Sequence, residues 1–367
     1  MDKPNMQHAY AVIMAGGGGT RLWPLSRQSR PKQMLPIIEE RTLFQIAVQR
    51  LSGLFPLDRI LVVTSREQAP GLQTLAPELP AANYLLEPQP RGTAAAIGLA
   101  AAALSAQDPQ AVMAVLTADH YIGNEAGFHR CLEAAVQVAQ TGHLVTLGIH
   151  PTFPATQYGY IHMGESLGRF DRFEAFTVTR FKEKPNQEEA ERLIADGAHV
   201  WNSGMFIWSA ARIMQEFELQ MPQLHSALQK LAAAWGQAQF AGLIEEEWPR
   251  IPAQTIDYGV MENAKDVAVI PAKELGWNDV GSWTSLFEVL EADANGNLIL
   301  HGQHLDVDSE RSLVHSSGQE RMIVTLGVKD LVIVDTGDVL LICPRERAQD
   351  LRKVIEVLKE KGLQHYL

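Results

Sequence analysis

The chain has 367 residues, 46% of them hydrophobic and 20% charged, enough apolar material for two domains or one large one. A formal net charge of -12 without any Lys/Arg-rich stretch argues against nucleic-acid binding, which needs a concentrated basic face. With no run of eighteen apolar residues and no signal-peptide pattern in MDKPNMQHAY, the expectation is a cytoplasmic protein with no membrane segment.

Short apolar runs at 10–14, 60–64, 84–86, 112–117 and 144–149 predict strands. Between them, 42–51, 93–104 and 126–140 have the length and periodicity of helices. The alternation implies an α/β fold, a Rossmann-like and mostly parallel sheet with helices on both faces and ligands at the strand ends. From 158 to about 208, shorter strands surround a helix at 187–195, and a helical stretch runs from 210 to about 247. This part reads as an insertion that completes a pocket over the sheet.

The turn-rich DANGN at 293–297 then breaks the chain. Strands near Leu298, Leu313, Met322, Leu331 and Val339 predict a small C-terminal β-domain, either a flat sheet or a short β-helix. An amphipathic helix follows, with Ala348, Leu351, Ile355 and Leu358 on one face and Gly362 as its stop. The predicted division is 1–294 and 295–367, with no strict internal repeat. Cys131 and Cys343 form no CxxC pair and read as reduced, structural thiols.

The chemistry concentrates first in AVIMAGGGGTRLWPLSRQSRPKQML, where a buried strand turns at four glycines, Gly16, Gly17, Gly18 and Gly19. Glycines lacking Cβ let backbone N–H groups surround phosphate oxygens. The P-loop is excluded, because Gly19 is followed by Thr20 and Arg21 rather than by Lys and a hydroxyl residue. The dinucleotide GxGxxG is excluded too, since its third glycine is missing in every register. What remains is a glycine turn followed by Arg21, whose fork suits terminal phosphates, and by Lys32, a point charge for a phosphorus under attack.

The string AGGGGTRLWPLSRQSRPKQ resembles the signature of the sugar-1-phosphate nucleotidyltransferases, and LWPLSR resembles their mannose-1-phosphate guanylyltransferase branch. The resemblance continues in family order through RGTAAAI, TADHYI, QYGYI, FKEKP, WNSGMF, TIDYGVME and WNDVGSW. Departures are Gly18, Ala95 and Thr117, none of which removes a charged group. The resemblance implies transfer of GMP from GTP to mannose 1-phosphate, giving GDP-mannose and pyrophosphate.

It also implies a site. Asp119 follows an apolar strand and Asp279 lies in a turn, and together they match the positions that hold the catalytic Mg²⁺. Ala15, the glycines, Thr20, Arg21, Lys32 and Asp119 are expected to bind the nucleotide phosphates, and Glu87, Arg91, Gly92 and Thr93 its base. Guanine presents N1–H and N2–H donors, which a carboxylate or backbone carbonyls can read. Glu183 and Asn202 are expected at the sugar hydroxyls, Lys184 at the sugar phosphate, and Tyr158, Gly159, Tyr160, Asp257 and Tyr258 around them.

Other readings of the same residues are structural. A lone Asp279 is more often a cap, Gly92 and Thr93 can merely start a helix, and Trp201, Trp208, Trp277 and Trp283 suit a core or pocket wall. His120 alternates away from Asp119 on an extended backbone and is not expected to act as a base. The same chemistry on another sugar or base stays open, whereas a silent regulatory paralogue is disfavoured because all five charged catalytic residues are present. Only 73 residues follow position 294, too few for the isomerase domain fused in some relatives, so a single activity is expected. The tail is expected to be a short left-handed β-helix that supports a homodimer.

Overall fold

The computed structural model describes residues 5–17, 19–317 and 321–367, with the side chain of Thr20 outside the description. Two compact units emerge. The first comprises Met1–Gly16, Val48–Thr117 and Ile122–Leu275, and the second Gly17–Ala47, Ala118–Tyr121 and Gly276–Leu367.

The first unit is built on a nine-stranded sheet: β1 (Ala9–Met14), β2 (Ile60–Ser65), β3 (Tyr84–Glu87), β4 (Val112–Thr117), β5 (Leu144–Ile149), β6 (Tyr160–Phe170), β7 (Phe173–Lys182), β8 (His199–Ser209) and β9 (Val267–Pro271). Their spatial order is β3-β2-β1-β4-β8-β5-β9-β7-β6. β1 pairs in parallel with β2 and β4, β2 with β3, and β5 with β9. Strands such as VMAVLT and LVTLGI are unbroken apolar runs because both sheet faces are covered.

The segment at 158–208, read from sequence as an insertion over the sheet, instead supplies three of its strands. β8 lies antiparallel between β4 and β5, and β6 and β7 extend the far edge. The reason is visible in HVWNSGMFIWS, a long and largely buried strand whose two edges both need ladder partners.

Helices connect and cover these strands: α1 (Leu43–Ser52), α2 (Ala69–Leu75), α3 (Thr93–Gln107), α4 (Glu125–Gln140), α5 (Gln187–Asp196), α6 (Ala210–Gln220), α7 (Pro222–Ala233) and α8 (Phe240–Glu247). α3 is apolar all round and buried from Ala94 to Leu104. A Cβ on its Gly98 would stand 2.5 Å from Leu228 of α7, so glycine sets how closely those helices pack. The predicted helical stretch 210–247 divides into α6, α7 and α8, with Pro222 opening α7. The sequence does not announce α2, since its APGLQTL carries Pro70 and Gly71 against helix propensity.

In the second unit, β10 (Leu298–His301), β11 (Gln303–Val307), β12 (Leu313–Ser316), β13 (Met322–Leu326), β14 (Leu331–Asp335) and β15 (Leu340–Pro344) precede α9 (Leu351–Glu360). β10, β12 and β14 pair in parallel, as do β11 and β13, and β15 runs antiparallel to β14. The partners Gln303↔Met322, Glu310↔Lys329 and Leu313↔Val332 are each 19 residues apart. Each coil thus stacks on the one before it. Leu298, Leu313 and Val332 point inward, and outward residues differ between coils, which hides the repeat in the sequence.

One core joins this β-domain to the glycine-loop segment. Leu22, Trp23, Leu35 and Leu43 pack with Val280, Trp283, Leu298, Leu313, Val332, Leu351 and Ile355. Trp23 Nε1 donates to the carbonyl of Tyr366 at 2.8 Å, and Trp283 Nε1 donates to that of Trp23 at 3.1 Å. No helix among the described residues is long and apolar enough to cross a membrane.

Candidate active site

Within the second unit, the glycine turn and Lys32 are built against each other. Gly19 has φ +56°, and a Cβ there would lie 2.6 Å from Lys32 Cβ and 2.7 Å from its backbone nitrogen. Only glycine fits both constraints. Ser26 Oγ donates to the Gly19 carbonyl at 2.6 Å, and Gln33 Nε2 reaches that of Gly17 at 3.4 Å. Gly18 lies outside the described residues.

Pro31 leads into a short turn that buries Lys32, whose side chain is 5% exposed. Its ammonium donates to Asp119 Oδ2 at 3.0 Å and to the Asp279 carbonyl at 2.5 Å. Desolvation pushes the Asp119 carboxyl up, but Lys32, His120 and Arg21 outweigh it and hold it below its ordinary value. Asp279 Oδ1 accepts from the backbone nitrogen of Gly281 at 3.0 Å, so it does cap its turn, while its Oδ2 lies 3.9 Å from Arg21 Nη1. The next residue, buried Val280, sits at φ +45°, an unusual conformation for a β-branched side chain.

Arg21, Lys32, Asp119 and Asp279 are therefore brought together from three separate stretches of sequence. Lys32 ties the Asp119 carboxylate to the backbone of Asp279, and the carboxylates of these two residues offer the hard oxygen donors that suit Mg²⁺. His120 Nδ1 accepts from Trp277 Nε1 at 3.1 Å, with the rings edge to face.

The base-loop residues lie in the first unit. Glu87 is 6% exposed, and its Oε1 has no hydrogen-bond partner among the described residues. Burial pushes its carboxyl up to about 7, against a smaller opposing effect of the Arg91 backbone. A Cβ on Gly16 would come within 3.4 Å of Glu87 Oε2. Ala15 is held by the sheet, donating to the Val63 carbonyl at 2.8 Å and accepting from Thr64 Oγ1 at 3.0 Å.

Gly92 has φ +82°, and a Cβ there would overlap the Gln254 carbonyl at 2.3 Å. Thr93 starts α3, and its Oγ1 also accepts from the Ile256 backbone at 2.9 Å, anchoring the segment that leads into Asp257. Arg91 Nη2 donates to the carbonyl of Pro249 at 2.6 Å.

The expected sugar residues also lie in the first unit, and most converge. Lys184, at φ +46° before Pro185, pairs its ammonium with Glu183 Oε1. Glu183 is 8% exposed, and a Cβ on Gly159 would stand 2.4 Å from its Oε2. Asn202 donates its backbone N–H to the Gly159 carbonyl at 2.8 Å and its side-chain amide to Asp257 Oδ1 at 2.9 Å. Burial first, then the neighbouring Glu183 charge, push the Asp257 carboxyl up to about 6.

Tyr158 and Trp201 pack with ring centroids 5.0 Å apart, and buried Tyr160 lies at the start of β6. Tyr258, the neighbour of Asp257 in sequence, is 46% exposed. Sequence reasoning passed over Phe153, edge-on to Trp201 at 5.0 Å, and buried Thr146, whose hydroxyl reaches Asn202 Oδ1 at 3.4 Å. An aromatic between prolines in PTFP was the available signal for the first, and nothing in the apolar run of β5 marked the second.

Residues 10–296 match the family described as Nucleotidyl transferase, and residues 302–358 match the MannoseP isomerase/GMP-like beta-helix domain. The chain is 40% identical over 363 residues to a mannose-1-phosphate guanylyltransferase of Escherichia coli K12, covering 96% of this chain and 74% of that protein. It is 38% identical over 364 residues to the xanthan biosynthesis protein XanB of Xanthomonas campestris pv. campestris, with 97% and 74% covered. A crystal structure from Thermus thermophilus, described as a mannose-1-phosphate geranyltransferase, aligns with a TM-score of 0.84 at 36% identity, covering 96% of this chain and 99% of that one.

Proposed function

The chain belongs to the nucleotidyl transferase family, in its mannose-1-phosphate guanylyltransferase branch, and we propose that it makes GDP-mannose and pyrophosphate from GTP and mannose 1-phosphate. The observation that carries the chemistry is the buried Lys32 ammonium shared by Asp119 and Asp279, with Arg21 beside Asp279 and the glycine turn against Lys32.

The phosphate oxygen of mannose 1-phosphate attacks the α-phosphorus of GTP in line, forming one P–O bond as the bond to pyrophosphate breaks. That oxygen is already ionised at neutral pH, so no general base is needed, and His120 is not given that part. Positioning and charge neutralisation carry the rate. In this reading Lys32 faces the α-phosphate, Arg21 the departing phosphates and Lys184 the sugar phosphate. Glu183, Asn202 and Asp257 receive the sugar hydroxyls, and Glu87 accepts from guanine N1–H and N2–H. Asp119 and Asp279 would hold Mg²⁺, which when bound neutralises phosphate charge.

Pyrophosphate release measured with each nucleoside triphosphate and each sugar 1-phosphate, in Mg²⁺, tests the assignment. GTP with mannose 1-phosphate should be the fastest pair, and any other leading pair overturns it. We further propose that residues 1–294 carry the chemistry, that the protein works in the cytoplasm and that it forms a homodimer through the β-domain. Exposed apolar residues support the dimer: Leu305 pairs with Val324 and Val307 with Leu326 across β11 and β13, a surface that water disfavours.

A further inference from the structure

At one edge of the large sheet, a group of metal-binding side chains lies among residues that have no part in the proposed chemistry. His162 on β6 and His199 on β8 are direct cross-strand partners, with ring centroids 4.7 Å apart. α5 ends at Gly197, whose φ of +74° turns the chain so that Asp196 comes back over His199, carboxylate to Nδ1 at 3.2 Å. One ligand atom from each of His162, Asp196 and His199 lies within 4.8 Å of the others. Among the described residues this is the group of three or more His, Cys, Asp or Glu side chains with that spacing.

Two further observations point to a ligand. His199 is 7% exposed, and its Nδ1, 3.2 Å from the Asp196 carboxylate, makes no hydrogen bond of ordinary geometry. A buried ring nitrogen left in that state normally has a partner. His162 is oriented from behind, its Nδ1 paired with Thr179 Oγ1, which leaves Nε2 for a ligand. A metal-bound histidine is typically fixed in this way through its other nitrogen.

We propose that His162, Asp196 and His199 form a binding site for a transition-metal dication of the Zn²⁺ type, made of different residues from the Asp119 and Asp279 pair. Two imidazoles and one carboxylate suit such an ion, whereas Mg²⁺ prefers oxygen alone. The three ligand atoms lie within 4.8 Å of one another, and Asp196, the most exposed of the three residues, stands at the solvent side of the group.

The three side chains open on a cavity of about 460 Å³ that Arg180, Glu189 and Arg192 also line. Glu189 stands 4.0 Å from Arg180 and 3.8 Å from Lys182, offsetting that positive charge. A bound ion would tie the end of α5 to β6 and β8. Its part is to brace this edge, because α5 follows Glu183 and Lys184 closely and β8 carries Asn202.

The test is calorimetric titration of the full chain with Zn²⁺ in excess Mg²⁺, alongside thermal unfolding. Wild type should take up one equivalent and unfold at a higher temperature. His162→Ala, a partly exposed position, should keep its fold but lose more than about a hundredfold in affinity, since even second-layer partners cost ten- to a hundredfold. Co²⁺ in place of Zn²⁺ should give a visible absorption band in wild type that this variant lacks. Equal Zn²⁺ binding by both proteins, or none by wild type, overturns the proposal. So does binding of inorganic phosphate in place of Zn²⁺ with loss in Arg180→Ala, which would make the cavity an anion site.

Discussion

Lys32 Nζ lies 3.0 Å from the carboxylate of Asp119, a residue 87 positions away, and the lysine side chain is 5% exposed. A buried ammonium held against one acid and against the backbone of a second has a fixed place before substrate arrives, which is what electrostatic preorganisation requires. Lys32→Ala should therefore lower kcat by about a hundredfold to a thousandfold, the usual cost of removing one such charge-stabilising donor. Single-turnover rates at saturating GTP measure it. Asp279→Asn is the companion variant, because its side-chain oxygen can still cap Gly281 while the charge is gone. A rate within about threefold of wild type, about 0.7 kcal/mol of barrier, is too small a loss for a metal ligand.

Lys184 gives the complementary pattern. It holds a strained backbone conformation and reaches Glu183, with its ammonium exposed. Lys184→Ala should weaken mannose 1-phosphate by about tenfold to a hundredfold, the worth of a charge-assisted hydrogen bond, while GTP binding stays near wild type. Calorimetry with each substrate separates the two. Loss of GTP affinity instead would remove the residue from the sugar phosphate.

Glu87 predicts a pH dependence. Its carboxyl is raised to about 7 in the folded protein, so the acid form dominates below that pH and cannot accept two guanine donors. GTP affinity should rise with pH through about 7, and Glu87→Gln should flatten the profile. The linked stability runs the other way. A carboxyl raised on folding adds stability that is fully present below its unfolded pKa and is lost as pH rises through about 7. Chemical unfolding at pH 5 and pH 8 should show wild type losing more stability over that range than Glu87→Gln does.

Removing residues 295–367 should abolish activity along with stability. Leu22, Trp23 and Leu35 share their core with Leu298, Leu313, Val332 and Ile355, so truncation exposes the segment that carries Arg21 and Lys32. Proteolysis of the truncated protein should begin between residues 17 and 47. A truncated protein with wild-type turnover would show that the β-domain serves association alone.

Much of this was legible in the letters because the chemistry is local. Gly19, Arg21 and Lys32 fall within one signature, and β4 is a plain apolar run that delivers Asp119 just beyond its end. Long-range packing was not legible. Nothing in HVWNSGMFIWS says that it runs antiparallel between two distant strands, and the 19-residue coil leaves only alternating apolar positions as its trace. Arg91 and Thr93 look like ligand residues in EPQPRGT, yet both side chains also bond the chain near 249–256, partners that proximity in sequence could not suggest.

The shared core of the glycine-loop segment has a consequence for biosynthesis. Leu22 and Trp23 leave the ribosome early, whereas Leu313, Val332 and Leu351, which bury them, follow about 290 residues or more later. At translation rates of about 5 to 20 residues per second, the nascent chain carries those apolar side chains uncovered for roughly 15 to 60 s. The stretch that carries Arg21 and Lys32 thus has its core completed only when synthesis is nearly over.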